Sequence, residues 1–259
     1  LFTAAARHVA QRVPLLLCSA ASDLPTVRRL TKVAHDLGGY PMVMPPFVSE
    51  VTDAQIEAFF REIAGECSDR VVIYNAPGVG ITLSVALIER LAAIPGIVAL
   101  KQGELQPTVV DQLAGRLSGR IKLFAASDLC IPGPVGAGFD GLSSTNSSAF
   151  PQLIAATYRA FRSGDGVRGR ALNALWFDYR EFARRHGQPQ TVKAAMQLRG
   201  WTGGSVRRPL LDLDPVAVEQ LRVIVERIVR VCAESAAAGV ASAKADDARA
   251  SSNRPVEAL

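Results

Sequence analysis

Six short, almost uninterrupted apolar runs punctuate the first 143 residues, and their spacing restricts what this chain can fold into more than any other feature. They are Val13–Ser19, Tyr40–Met44, Val71–Tyr74, Ile97–Lys101, Ile121–Ala125 and Gly141–Ser143. Runs of this length with no polar alternation suit strands covered on both faces, as in a parallel sheet. Helical periodicity fills the intervals near residues 24–37, 53–66, 84–93, 106–117 and 128–136, with Asp53 and Ser84 as candidate N-caps. Repeated strand–helix units with short connections define an α/β fold. No GxGxxG follows an early strand and no Walker sequence occurs, so a doubly wound nucleotide-binding sheet lacks its signature. The reading is a (β/α)8-type barrel, which has eight strands where six are visible, opening inside a helical pattern over Leu1–Arg12. From Pro151 the pattern changes to helices alone, over 151–163, 165–186, 189–199 and 215–233. The expected domains are therefore a barrel portion over 1–150, a C-terminal helical subdomain over 151–233 and a disordered tail over 234–259, rich in Ala, Ser and charge.

Composition narrows function mainly by exclusion. Half of the 259 residues are apolar, enough for a large core, and no run is long enough to span a bilayer. The first residues lack the apolar stretch of a signal peptide, so a cytoplasmic protein without membrane contact is expected. The net charge of +5 is mild, and its clusters (Arg184-Arg185-His186, Arg207-Arg208) sit in no nucleic-acid motif, so no nucleic-acid partner is expected. Four cysteines and three histidines are scattered without ligand spacing; free thiols, packed in the core at Cys18 and Cys130, and no metal are expected.

Two strand ends carry the chemistry. Val71-Val72-Ile73-Tyr74-Asn75-Ala76-Pro77-Gly78 runs from a strand into a tight turn, and Ile97-Val98-Ala99-Leu100-Lys101 places a lysine at the close of an apolar run. The C-terminal ends of strands form the catalytic face of such barrels. Burial there lowers a lysine's pKa, and a neutral amine attacks a carbonyl to form a Schiff base. Spacing alone leaves the bland alternatives open, with Lys101 a solvent-facing strand terminator and Tyr74 a packing residue.

The stretches YNAPG, IVALKQG, AASD and GAGFDGLSS, followed by VKAAMQLRGWTGGSVRRPLLDL, occur in an order that resembles the dihydrodipicolinate synthase / N-acetylneuraminate lyase family over roughly residues 1–231. The resemblance implies a (β/α)8 barrel with a helical extension, assembled as a homo-oligomer, tetramer or dimer. It implies an imine between Lys101 and the keto carbon of pyruvate or a related 2-keto acid, with Tyr74 shuttling protons and Ser143 near the bound acid. No cofactor is needed, because the protonated imine is itself the electron sink. Ser143, Ser144, Thr145 and Asn146 form a polar cluster that either lines the pocket or caps the next helix. Asp128 either caps the helix after it or takes part in catalysis, and Cys18 and Ser19 either line the pocket or pack in the core.

Three departures stand against the resemblance. The family's first two strands, the second ending in a GTTGE-like motif that binds the carboxylate, have no counterpart. Val48 stands where dihydrodipicolinate synthase carries a tyrosine, and Pro77-Gly78-Val79-Gly80 lacks the arginine of that enzyme's loop. These features set the synthase itself aside in favour of a sibling aldolase, lyase or dehydratase. The alternative is an impaired paralogue that binds a keto acid or acts only through assembly.

Overall fold

The computed structural model describes residues 1–48, 50–77 and 79–252, with side chains through Glu234. It separates into two compact units, Leu1–Ser144 with Tyr158–Asp165, and Thr145–Thr157 with the residues from Gly166 onward.

The first unit is built on one parallel sheet. Its strands are β1 (Leu16–Cys18), β2 (Tyr40–Val43), β3 (Val71–Asn75), β4 (Ile97–Gln102), β5 (Lys122–Ala125) and β6 (Gly141–Leu142). They pair in chain order, β1-β2-β3-β4-β5-β6, all parallel. The six apolar runs thus become six strands. After helix α1 (Phe2–Val9), the connections carry α2 (Leu24–Asp36), α3 (Asp53–Glu66), α4 (Val85–Ala92), α5 (Pro107–Leu117) and α6 (Pro132–Ala137).

Helical periodicity turns directly into burial. Helix α3 buries Ile56, Phe60, Ile63 and Ala64, α4 buries Leu87, Ile88, Leu91 and Ala92, and α5 buries Val110, Leu113, Ala114 and Leu117. Each set recurs at spacings of three and four, which makes one apolar stripe. The stripes close over Val71, Ile73, Leu100 and Leu123, giving one continuous core between sheet and helices. Removing a side chain of this size from such a core costs about 2–5 kcal/mol.

The caps agree only in part with expectation. Ser84 caps α4, accepting from the Leu87 amide at 3.2 Å. Asp53 is the first residue inside α3, and Thr52 is the cap. Its Oγ1 accepts from the Gln55 amide at 3.3 Å, while the Thr52 amide donates to Gln55 Oε1 at 2.9 Å, a reciprocal capping box. Asp128 does not cap α6, whose N-cap Ile131 offers no side-chain bond.

The second unit is helical. A short 3-10 helix (Thr145–Ser148) leads into α7 (Pro151–Arg162), which belongs to this unit only through Thr157, followed by α8 (Gly166–Ala174), α9 (Trp176–His186), α10 (Gln188–Leu198) and α11 (Pro215–Ser252). The single helix expected over 165–186 is two, broken at Leu175, whose amide turns back to Leu172 O at 3.2 Å. Phe150, Trp176 and Tyr179 pack edge to face with centroids 5.2–5.6 Å apart. Buried Leu221, Val225 and Ile228 continue this core along α11. Helix α11 extends to Ser252 through most of the segment whose composition suggests a tail. Alanine is the strongest helix former, so a stretch without an apolar face still supports helical backbone. The rest of that tail, 253–259, lies outside the described residues. No described helix is long and apolar enough to cross a membrane.

Candidate active site

Parallel pairing places Tyr74, Lys101, Phe124 and Gly141 in one row across β3, β4, β5 and β6. Register partners in a sheet present their side chains to the same face. All four are half-buried, whereas their neighbours Ile73, Leu100 and Leu123, on the opposite face, are fully enclosed by the helices. Two of the residues expected to carry chemistry are therefore brought side by side, with an aromatic ring beyond them. A Cβ at Gly141 would meet the Phe124 ring at 3.0 Å, so the absence of a side chain there leaves space for that ring.

The Lys101 Nζ lies 3.9 Å from the centroid of the Tyr74 ring. A ring face favours the ammonium form, whereas burial disfavours it. Burial holds Lys101 below the ordinary lysine pKa, with the Cys18 sulfur opposing the shift. Burial likewise raises the Tyr74 phenol above its ordinary value, and Cys18 adds to that shift. Among the described residues Lys101 forms no ion pair, so no carboxylate offsets its desolvation. The arrangement pairs an amine biased toward its neutral, nucleophilic form with a phenol biased toward keeping its proton.

The strand ends that carry this pair are locked together one residue further on. Asn75 and Gln102 are fully buried. Asn75 Nδ2 donates to Gln102 Oε1 at 2.9 Å and to Leu83 O at 3.4 Å, Asn75 Oδ1 accepts from the Leu83 amide at 3.0 Å, and Gln102 Nε2 donates to Glu104 O at 2.9 Å. The Gly103 amide then donates to Asn75 O at 2.8 Å. A Cβ at Gly103 would stand 2.8 Å from both Asn75 O and Pro77 Cδ, so the close approach of the two strand ends requires glycine.

The polar cluster divides. Ser143 is half-buried and its amide donates to Ala125 O at 2.7 Å, continuing the β5–β6 ladder past Leu142. Ser144, also half-buried, donates through Oγ to Oδ2 of buried Asp128. That bond gives Asp128 a role neither of its two expected ones described, tying the end of β6 to the loop after β5. Thr145 is exposed, opens the 3-10 helix and groups with the second unit.

Two contributors were underweighted in the sequence. Cys18 and Cys130 are exposed, not core thiols. Cys18 ends β1 as Tyr74 and Lys101 approach the ends of their strands, and its influence reaches both residues. That shared position was the available signal. Gln102 gave none, because its partner Asn75 is 27 residues away.

The model of the dihydrodipicolinate synthetase family matches residues 1–228. The 4-hydroxy-tetrahydrodipicolinate synthase of Xanthomonas campestris pv. campestris is 31% identical over 215 residues, covering 82% of this chain and 71% of that protein. The enzyme of the same name from Methanoculleus marisnigri is 28% identical over 216 residues, covering 82% and 74%. Among solved structures, the 4-hydroxy-tetrahydrodipicolinate synthase of Methylacidiphilum fumariolicum SolV superposes with a TM-score of 0.81 at 23% identity, over 90% of this chain and 79% of that one. CdNal from Clostridium difficile, solved in complex with mannosamine, superposes with a TM-score of 0.80 at 17% identity, over 88% and 78%. The shared α/β architecture is thus the one anticipated. The expectation that set the synthase aside has no support in these relatives, which bear that name.

Proposed function

Since the chain belongs to the dihydrodipicolinate synthetase family, we propose that it is a Schiff-base-forming aldolase or lyase acting on pyruvate or a related 2-keto acid, with Lys101 as the nucleophile and Tyr74 as its proton carrier. The observation that carries this reading is the cross-strand pair itself, an amine 3.9 Å from the tyrosine ring and depressed in pKa by burial. The Lys101 amine adds to the keto carbon and a carbinolamine forms. Its hydroxyl leaves as water after protonation, and the resulting iminium withdraws electrons from the adjacent carbon. Loss of a proton there gives an enamine that makes a carbon–carbon bond; the reverse sequence breaks one. The Tyr74 phenol, kept protonated by burial, supplies and recovers the proton at the departing oxygen.

Ser143 and Ser144 line the same end of the sheet in this reading, and Thr145 is included with them on the resemblance alone. The six strands in chain order support reading the sheet as consecutive strands of an eight-stranded barrel. Val48 and the loop around Pro77 bear on the second substrate, which the imine chemistry does not specify. The proposal extends to a homo-oligomer, tetramer or dimer, checked by sedimentation.

The test is borohydride trapping with pyruvate, read by intact and peptide mass spectrometry. A reduced adduct on Lys101, absent in Lys101→Ala, is the expected outcome. A well-folded sample that gives no adduct, or an adduct on another lysine, overturns the assignment.

A further inference from the structure

Six parallel strands put every loop that follows a strand at one end of the sheet, the end that carries Tyr74 and Lys101. Those loops of the first unit, residues 19–23, 44–52, 76–84, 103–106, 126–131 and 143–144, contain no lysine or arginine. The loops at the opposite end supply Arg12, Arg70 and Arg120. Among the loops at the Lys101 end and the strand ends before them, Lys101 is the one cation. Four carboxylates stand there instead. Asp23 accepts from the Thr26 amide at 2.8 Å, Glu104 from the Gln106 amide at 3.0 Å and Asp128 from Ser144 Oγ, while Glu50 is exposed. In the second turn of α2, Arg28 pairs with Glu62 and Glu66, and Arg29 is within electrostatic reach of Asp23.

The same loops expose apolar side chains. Phe47 and Val48 follow β2, Val79 follows β3 and Leu129 follows β5, each between 37% and 63% exposed. A Cβ at Gly80 would stand 3.0 Å from Phe47 Cβ, so the loops after β2 and β3 touch, with Phe47 beside the residue that follows Val79. Strand β4, which carries Lys101, runs between β3 and β5, so Val79 and Leu129 belong to the loops on either side of it. These four side chains offer surface to a bound molecule, and covering it is favourable by about 25 cal/mol per Å2.

Charge decides the class of molecule this rim accepts. In the Schiff-base reading Lys101 becomes an iminium beside the keto acid's own carboxylate, so the single cation is already matched. A second anionic group would meet only carboxylates, and an unmatched charge is costly to desolvate. Resting on that reading, we propose that the carbonyl partner of the reaction is an uncharged aldehyde with an apolar body, held against Phe47, Val48 and Val79. The enamine carbon bonds to the aldehyde carbon, and the carbonyl π pair becomes an alkoxide that takes up the proton lost in enamine formation. Water then frees a hydroxylated 2-keto acid from Lys101. The reverse sequence breaks the same bond and releases the aldehyde.

The test supplies the full chain with pyruvate and one of three aldehydes, and mass spectrometry quantifies each product. Isocaproaldehyde and succinic semialdehyde have the same shape, one ending in two methyls and the other in a carboxylate. Glyceraldehyde is uncharged but polar. kcat/KM is expected to be at least about ten-fold higher for isocaproaldehyde than for either of the others, the lower end of what an added apolar group discriminates. Val79→Arg is expected to narrow or reverse the ratio to succinic semialdehyde. The three-aldehyde comparison on the unaltered chain keeps the test decisive if that variant folds poorly. Borohydride trapping with pyruvate alone separates two failures. An adduct on Lys101 without a preference for isocaproaldehyde overturns this proposal and leaves the imine reading standing, whereas no adduct overturns both.

Discussion

Replacing Asn75 with alanine tests how the strand ends that carry Tyr74 and Lys101 are held. The change removes three hydrogen bonds inside a fully buried site. It leaves the Leu83 amide without its 3.0 Å acceptor and Gln102 Oε1 without its 2.9 Å donor. A buried polar group left unsatisfied costs about 1–3 kcal/mol, so the two together predict a loss of about 2–6 kcal/mol. Gln102→Ala strips the same pair from the other side. It leaves Asn75 Nδ2 with only the 3.4 Å bond to Leu83 O, and Glu104 O without its side-chain donor. The double variant loses the mutual bond once instead of twice. Its loss is therefore expected to fall short of the sum of the single losses by about 1–2 kcal/mol, within the range measured for residues in one network. Urea denaturation of all four proteins closes the cycle, and amide exchange at Leu83 should accelerate in both chains that lack Asn75. Additivity within about 0.5 kcal/mol would refute the reasoning, because it would mean that the amides act independently.

Four further outcomes follow from the structure. The rate of imine trapping is expected to be bell-shaped in pH. It should rise as Lys101 deprotonates below the ordinary lysine value of about 10.4 and fall as Tyr74 ionises above the ordinary tyrosine value of about 10. Tyr74→Phe should abolish the alkaline limb and slow trapping by about 10²–10⁴-fold. In the folding equilibrium the unfolded chain binds the Lys101 proton more tightly. Stability from this group should therefore increase with pH between its depressed folded value and about 10.4, and this increment should vanish in Lys101→Met. Thr52→Ala, which breaks the capping box of α3, should lower stability by about 1 kcal/mol in chemical denaturation. Finally, a thiol reagent should modify exposed Cys18 and Cys130 in the native protein, while buried Cys67, its thiol raised by burial, should react only on unfolding.

Much of the framework was legible because it depends on local periodicity. Short, mostly apolar runs marked all six strands, and stripes such as Ile56, Phe60 and Ile63 marked the helices. Tyr74 and Lys101 were legible for a related reason, as polar groups close to the end of apolar runs that parallel pairing aligns. Features that depend on side-chain surroundings were not. Cys18 lies in a run that reads as core, yet it is exposed on the face opposite that of Leu17. Asp128 precedes a helix and resembles a cap, but its partner Ser144 arrives from 16 residues later. The division of 165–186 at Leu175 had no glycine or proline to announce it. Arg199 reads as surface charge, yet its guanidinium donates to the carbonyl of Ala149, 50 residues earlier in the chain.

The chain-ordered sheet has a consequence for how the molecule forms. Each of β2 to β6 pairs with the strand preceding it in sequence, so none of these five pairings waits for a distant segment. Loop closures are short, and folding rates rise as contacts become more local. During synthesis, with the N-terminus emerging first, each new βα unit can dock on a platform already in place. Lys101 enters this sequence only after β3 has presented Tyr74. The Tyr74–Lys101 pair is thus assembled midway through growth of the sheet, before the helices that follow Thr145 have been made.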